Sequence, residues 1–284
     1  MSATPPKKPT QGCALLYDST PELDTVHLIT ILQSAGFHTC RAQMAGRHAP
    51  GKAVVYGQVQ LDAHTVDLVS VAAPADDPAS KLTILEGILS PEDRQALLGH
   101  QAYIHCLYAG GSQRPLEQLR ALYRVVQALI EVSAPAQALG LLDVPALQAF
   151  SLPQLLDLLR WLDADPPPIG LWVRTVGLSG EHEGNGGGAG DMWLVTRGLA
   201  HFLQPEVAVN GRYVLDAESG ESLLMSIASW LIQAMTRLHL GDTLEMLAEE
   251  AMESRVSRWR CASPAPEQRW LASPYGTVVL EPVQ

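Results

Sequence analysis

Apolar positions follow two rhythms along this chain, one of period two and one of period near 3.6, and their alternation lays out the elements. Ala14, Leu15, Leu16 and Tyr17 form a short unbroken apolar run that predicts a buried first strand. Thr20 before Pro21 has the form of a helix cap and first turn. Leu23, Val26, His27, Ile31 and Leu32 would line one side of that helix, and Gly36 would end it in a left-handed conformation. Residues 37–44, 54–61 and 65–71 read as strands, the last two joined at Asp62-Ala63-His64 in a tight hairpin. The first seventy residues therefore predict β-α-β-β-β.

Between 74 and 99 the pattern predicts a broken helix, with a start signature at Ser90-Pro91-Glu92-Asp93 and an end near Gly99. Residues 101–108 are apolar on both faces, as in a central strand covered on each side, and Gly110-Gly111 closes it. Leu116, Leu119, Leu122, Tyr123, Val126, Leu129 and Ile130 recur at helical spacing over 115–132. Residues 138–142 are a short apolar run. Ser151 and Gln154 have capping-box spacing ahead of Leu155, Leu158, Leu159 and Leu162, and three prolines at 166–168 end that helix. Residues 169–178 and 192–196 read as strands around a glycine-rich loop, 181–191, expected to be mobile and dispensable for folding. A long helix over 221–238 ends at Gly241, residues 244–252 have helical propensity, and 256–261 and 277–283 read as a terminal pair of strands. The expected fold is α+β, a mostly antiparallel sheet with amphipathic helices packed on one side. It follows a tail over 1–12 and forms either one domain over 13–284 or two similar lobes meeting near 165–168.

Composition narrows the class. Of 284 residues, 47% are apolar and 17% charged, so a core is expected. With 19 basic against 30 acidic side chains the formal charge is −11, which disfavours nucleic acid and anionic membrane surfaces and suits a basic protein partner or simple solubility. Cys13, Cys40, Cys106 and Cys261 lie far apart without metal-ligand spacing, and Cys106 sits in an apolar run as a core thiol would. Neither a metal nor another cofactor is expected. The first twelve residues lack the apolar stretch of a secretory signal or an anchor, so the expected location is cytoplasmic, as a monomer or homodimer.

Four stretches carry a family resemblance: residues 102–111 running into the helix at Pro115, the phrase Leu171-Trp172-Val173, the phrase Thr196-Arg197-Gly198-Leu199-Ala200-His201-Phe202 with Pro205-Glu206-Val207 after it, and Gly241-Asp242-Thr243. In these, residues 102–284 resemble an uncharacterised bacterial family, domain of unknown function 4261. Leu203-Gln204 departs from it, standing where the pattern leads one to expect a glycine-containing turn. The resemblance brings no catalytic residues with it.

Motifs with chemistry are sparse. The glycine-rich loop has no Gly-Lys-Ser/Thr ending and runs into a strand-like segment where a phosphate loop needs a helix. Glu181, His182, Glu183 and Asp191 on it are poorly placed to hold a metal. No Gly-x-Ser-x-Gly elbow occurs. Asp62 and His64 could share a face of their hairpin, although a solvated turn explains them as well, and His100 and His105 read as core or edge histidines. Trp259 and Trp270 with Arg258 and Arg260 could stack aromatics and cations at a partner surface, or pack a terminal strand pair on its sheet. Two functions remain open. One is a non-enzymatic protein-binding module, immunity- or adaptor-like, masking a basic partner. The other is a hydrolase whose site joins His64 or His105 to a carboxylate distant in sequence.

Overall fold

The computed structural model describes residues 11–47, 53–133, 136–179, 192–245, 258–265, 268 and 271–283. The loop 181–191, residues 246–252 of the expected helix and Trp270 lie outside the described residues. The chain divides into two compact units, 10–171 and 172–284, the division falling just past the three prolines.

The first unit is built on seven strands: β1 (Gly12–Tyr17), β2 (Cys40–Met44), β3 (Val54–Leu61), β4 (His64–Val71), β5 (Ala102–Gly110), β6 (Ala138–Asp143) and β7 (Gln148–Ser151). They lie in the order β2-β3-β4-β5-β1-β6-β7, with every neighbouring pair antiparallel. The β-α-β-β-β opening and the central place of β5 are as the pattern predicts. The turn between β3 and β4 needs a left-handed residue, which Asp62 supplies at φ 48°.

Helix α1 (Thr25–Ser34) starts later than Thr20-Pro21 suggests, because Asp24 is the better cap: its Oδ1 accepts from the amides of Val26 and His27 at 2.9 and 3.1 Å. Leu28 and Leu32 face inward, whereas Val26, expected on the inner side, is exposed. Gly36 adopts φ 95° past its end, as expected. Helices α2 (Pro78–Glu86) and α3 (Pro91–Leu98) resolve the broken segment, capped by Asp77 and Ser90. Helix α4 (Pro115–Val132) buries a full stripe, and α5 (Leu152–Leu159) carries the predicted capping box.

Helices cover both faces of this sheet, not one. Leu16, Leu142 and Ala149 pack against Ile84 of α2 and Leu97 of α3. Tyr17, one residue from Leu16 and so on the other face, reaches Ser133 at the end of α4 with a 2.9 Å hydrogen bond between hydroxyls. Arg120 of α4 donates to the carbonyls of Leu162 and Ala164 beyond α5, at 3.1 and 3.2 Å, tying those two helices together.

The second unit has six strands: β8 (Arg174–Ser179), β9 (Met192–Arg197), β10 (Glu206–Asn210), β11 (Thr243–Glu245), β12 (Arg258–Ala262) and β13 (Thr277–Pro282). Their order is β11-β12-β13-β10-β9-β8, antiparallel except where β13 runs parallel to β10. Ile169–Leu171 is a single 3-10 turn, so the strand expected from 169 begins at Arg174. Helix α6 (Ala217–Ala234) begins at Asp216, whose carboxylate accepts from Ser219, and closes with Met235 left-handed at φ 49°. It packs on β8, β9 and β10. The units are therefore not copies of one another.

Candidate functional site

Alternation along β12 decides how its residues are presented. Trp259 and Cys261 turn inward, Trp259 fully buried with its ring edge-on to Tyr213 at 6.4 Å, while Arg258 and Arg260 are exposed on the other face. Each arginine meets an acid on a neighbouring strand: Arg258 Nε lies 3.3 Å from Glu245 Oε1 on β11, and Arg260 Nη2 lies 2.7 Å from Glu281 Oε2 on β13. Trp259 and the two arginines thus do not form one surface. Trp270 lies outside the described residues.

The histidines are held one by one. Tyr108 accepts from the amide of Ser112 at 2.8 Å, and its hydroxyl shares a hydrogen bond with His64 Nδ1, 2.9 Å away. Asp62 is engaged elsewhere, accepting the amides of His38 and Thr39 at 3.0 and 2.7 Å, so the Asp62–His64 pair does not form. His100 is buried with Nδ1 donating to the Leu97 carbonyl (2.6 Å) and Nε2 accepting from the Ala75 amide (2.7 Å), which fixes a neutral tautomer. Burial accordingly holds its pKa below the ordinary value.

His105 lines a cleft of ≈ 360 Å³ together with Tyr103, Asp77 and Ser80. Asp77 caps α2 there, accepting from Ser80 N at 3.0 Å and Ser80 Oγ at 2.6 Å, which keeps its pKa low. His105 is shifted down by burial alone. Among the described residues neither His64 nor His105 has a carboxylate within hydrogen-bond reach, and no group of three or more His, Cys, Asp or Glu side chains is placed to hold a metal.

Three features escaped the sequence reading. Glu206, at the start of β10, is a buried carboxylate: it accepts from Thr196 Oγ1 at 2.8 Å and from the amides of Gly198, Leu199 and Ala200 at 3.1, 3.4 and 3.3 Å. Burial pushes its pKa up and these donors pull it back. It closes the turn Leu199–Phe202, which leaves through Leu203 in the left-handed conformation at φ 61°, the place where a glycine was expected.

The second feature is the outer face of α2, where Leu82 and Leu85, three residues apart, are 49% and 53% exposed and Ile88 just beyond is 76% exposed. The third is a cleft of ≈ 610 Å³ in the second unit, beneath the segment that follows α6, lined by Arg237, Leu238, Leu240, Pro264, Tyr275 and Val278 among others. The apolar run 82–89 was a visible signal for the second feature; nothing local marks the other two.

No described helix is long and apolar enough to cross a membrane. Comparison with protein families, with curated proteins and with solved structures returns no match to this chain.

Proposed function

We propose that the chain is a non-enzymatic binding module that engages a basic, partly apolar segment of another protein through the α2–α3 hairpin. The observation supporting this reading is the apolar outer face formed by Leu82, Leu85 and Ile88, three large side chains left open within residues 82–88. On an ordinary helix such positions carry polar groups, because each buried large aliphatic gains roughly 1.5–3 kcal/mol that these residues forgo in water. The stretch that carries it is also acidic. Residues 76–94 hold Asp76, Asp77, Glu86, Glu92 and Asp93 against Lys81 and Arg94, in a chain whose formal charge is −11. Apolar residues in an acidic stretch complement an amphipathic basic segment, the apolar part supplying affinity and the charges steering and selection.

Affinity capture from native lysate, with the wild-type chain against Leu85→Ser/Ile88→Ser, tests the reading. Both positions are exposed, so the variant keeps its fold. A basic protein retained by the wild type, released by salt and lost with the variant is the expected result. Identical recovery by the two chains overturns the assignment of the α2 face.

A further inference from the structure

The cleft beneath the α6 exit has the make-up of a ligand site. Its ≈ 610 Å³ falls within the roughly 300–1,000 Å³ of small-molecule pockets. Leu238 and Val278 give it buried apolar walls, and Leu240, 61% exposed, stands on its lining. Two polar groups project among them. Arg237, which is exposed, and Tyr275, which is half-buried, both line the cleft, and neither has a hydrogen-bond or ion-pair partner among the described residues. They are near enough for the guanidinium to act on the phenol: burial pushes the Tyr275 pKa up and Arg237 draws it back.

The walls are set in advance. Gln204 Nε2 donates to the Thr236 carbonyl at 2.7 Å, and Gly241 and Asp242 exchange backbone hydrogen bonds of 2.8 Å with Cys261. Opposite them, the Gly276 amide bonds to Ser273 O and its carbonyl accepts from Glu206 N, both at 3.0 Å, closing the turn that carries Tyr275. A cleft held by backbone bonds from two sides loses little freedom when it fills.

We propose that this cleft binds a small organic carboxylate, its anionic head on Arg237 and Tyr275 and its apolar body against Leu238, Leu240 and Pro264. One guanidinium presents a planar fork that matches a carboxylate with two parallel N–H···O bonds, and the phenol adds a third donor. A phosphate dianion asks for a second cation, and the other basic side chain on the described lining, His239, faces Asp242 at 3.6 Å.

Isothermal titration of the full chain with 3-phenylpropanoate, its amide 3-phenylpropanamide and inorganic phosphate tests the proposal. Saturable one-to-one binding of the acid is expected, with the amide weaker by about ten-fold or more, since hydrogen bonds to a charged group carry that much affinity. Arg237→Gln should weaken the acid by a similar factor, and Tyr275→Phe by less, while Leu85→Ser/Ile88→Ser leaves it unchanged and so separates this site from the α2 face. Equal affinity for acid and amide, indifference to Arg237→Gln, tighter binding of phosphate, or no saturable binding of the acid overturns it.

Discussion

At Glu206 four donors converge on one carboxylate. Replacing it with glutamine leaves one acceptor oxygen and turns an amide N–H₂ toward backbone N–H groups. Loss of a charged acceptor from a buried set costs on the order of 2–3 kcal/mol, so Glu206→Gln should lower the chemical-denaturation free energy of the second unit by about that much. Thr196→Val, which removes the hydroxyl that also accepts the Val207 amide at 2.8 Å, should cost about 1–2 kcal/mol in the same measurement. His100 sets a pH dependence. Its folded pKa lies below the ordinary 6.5, so the unfolded chain binds the extra proton first as acid is added. Stability is then complete above about pH 6.5 and declines as pH falls below it toward the lowered folded value. His105 contributes with the same sign. Thermal melts between pH 7.5 and 5 should show a falling midpoint, and His100→Gln should flatten that slope; a flat wild-type profile would contradict the assignment.

Helix α6 offers a test at the level of the element, because propensity and packing oppose each other at Gly220. Alanine in a helix interior gains about 1 kcal/mol over glycine. A Cβ there would stand 2.2 Å from Leu194 Cδ1 and 3.2 Å from Val214 Cγ2, both on buried residues. Overpacking of that kind costs about 1–3 kcal/mol, so packing wins and Gly220→Ala should lower the midpoint of thermal unfolding. The elements most legible in the sequence were those with strong local grammar: the Ser151/Gln154 capping box, Ser90 before Pro91, Gly36 past α1, and the stripe of α4. Those misread were decided by local choices that the apolar pattern leaves open. Asp24 outcompetes Thr20 as a cap, and the run at 169–173 became a 3-10 turn before β8. The inward turn of Trp259 follows from the alternation of β12, which the sequence allowed in either sense. Glu206 and the cleft at Arg237 were not legible, because the donors and walls that define them come from separate segments that only the fold gathers.

Every strand ladder closes within its own unit, the first using residues 12–151 and the second residues 174–282. Each unit also has its own core cluster, around Leu16 and Ile84 in one and around Val195 and Val279 in the other. A fragment of residues 10–171 should therefore unfold cooperatively on its own; a broad, sloping transition would show that it needs the remainder.

The place of β13 in its sheet bears on the order in which the protein is made. This strand is the last in sequence, yet it lies between β12 and β10 and joins the two halves of the second sheet. While the chain is being synthesised, β8, β9 and β10 can pair, but their ladder ends in an open edge until residue 282 has left the ribosome. The first sheet needs nothing beyond residue 151 and can close much earlier. A nascent chain halted before residue 277 would thus carry one finished unit and one with an unsatisfied row of backbone groups on β10, the form in which this protein is most exposed to aggregation and most in need of a chaperone.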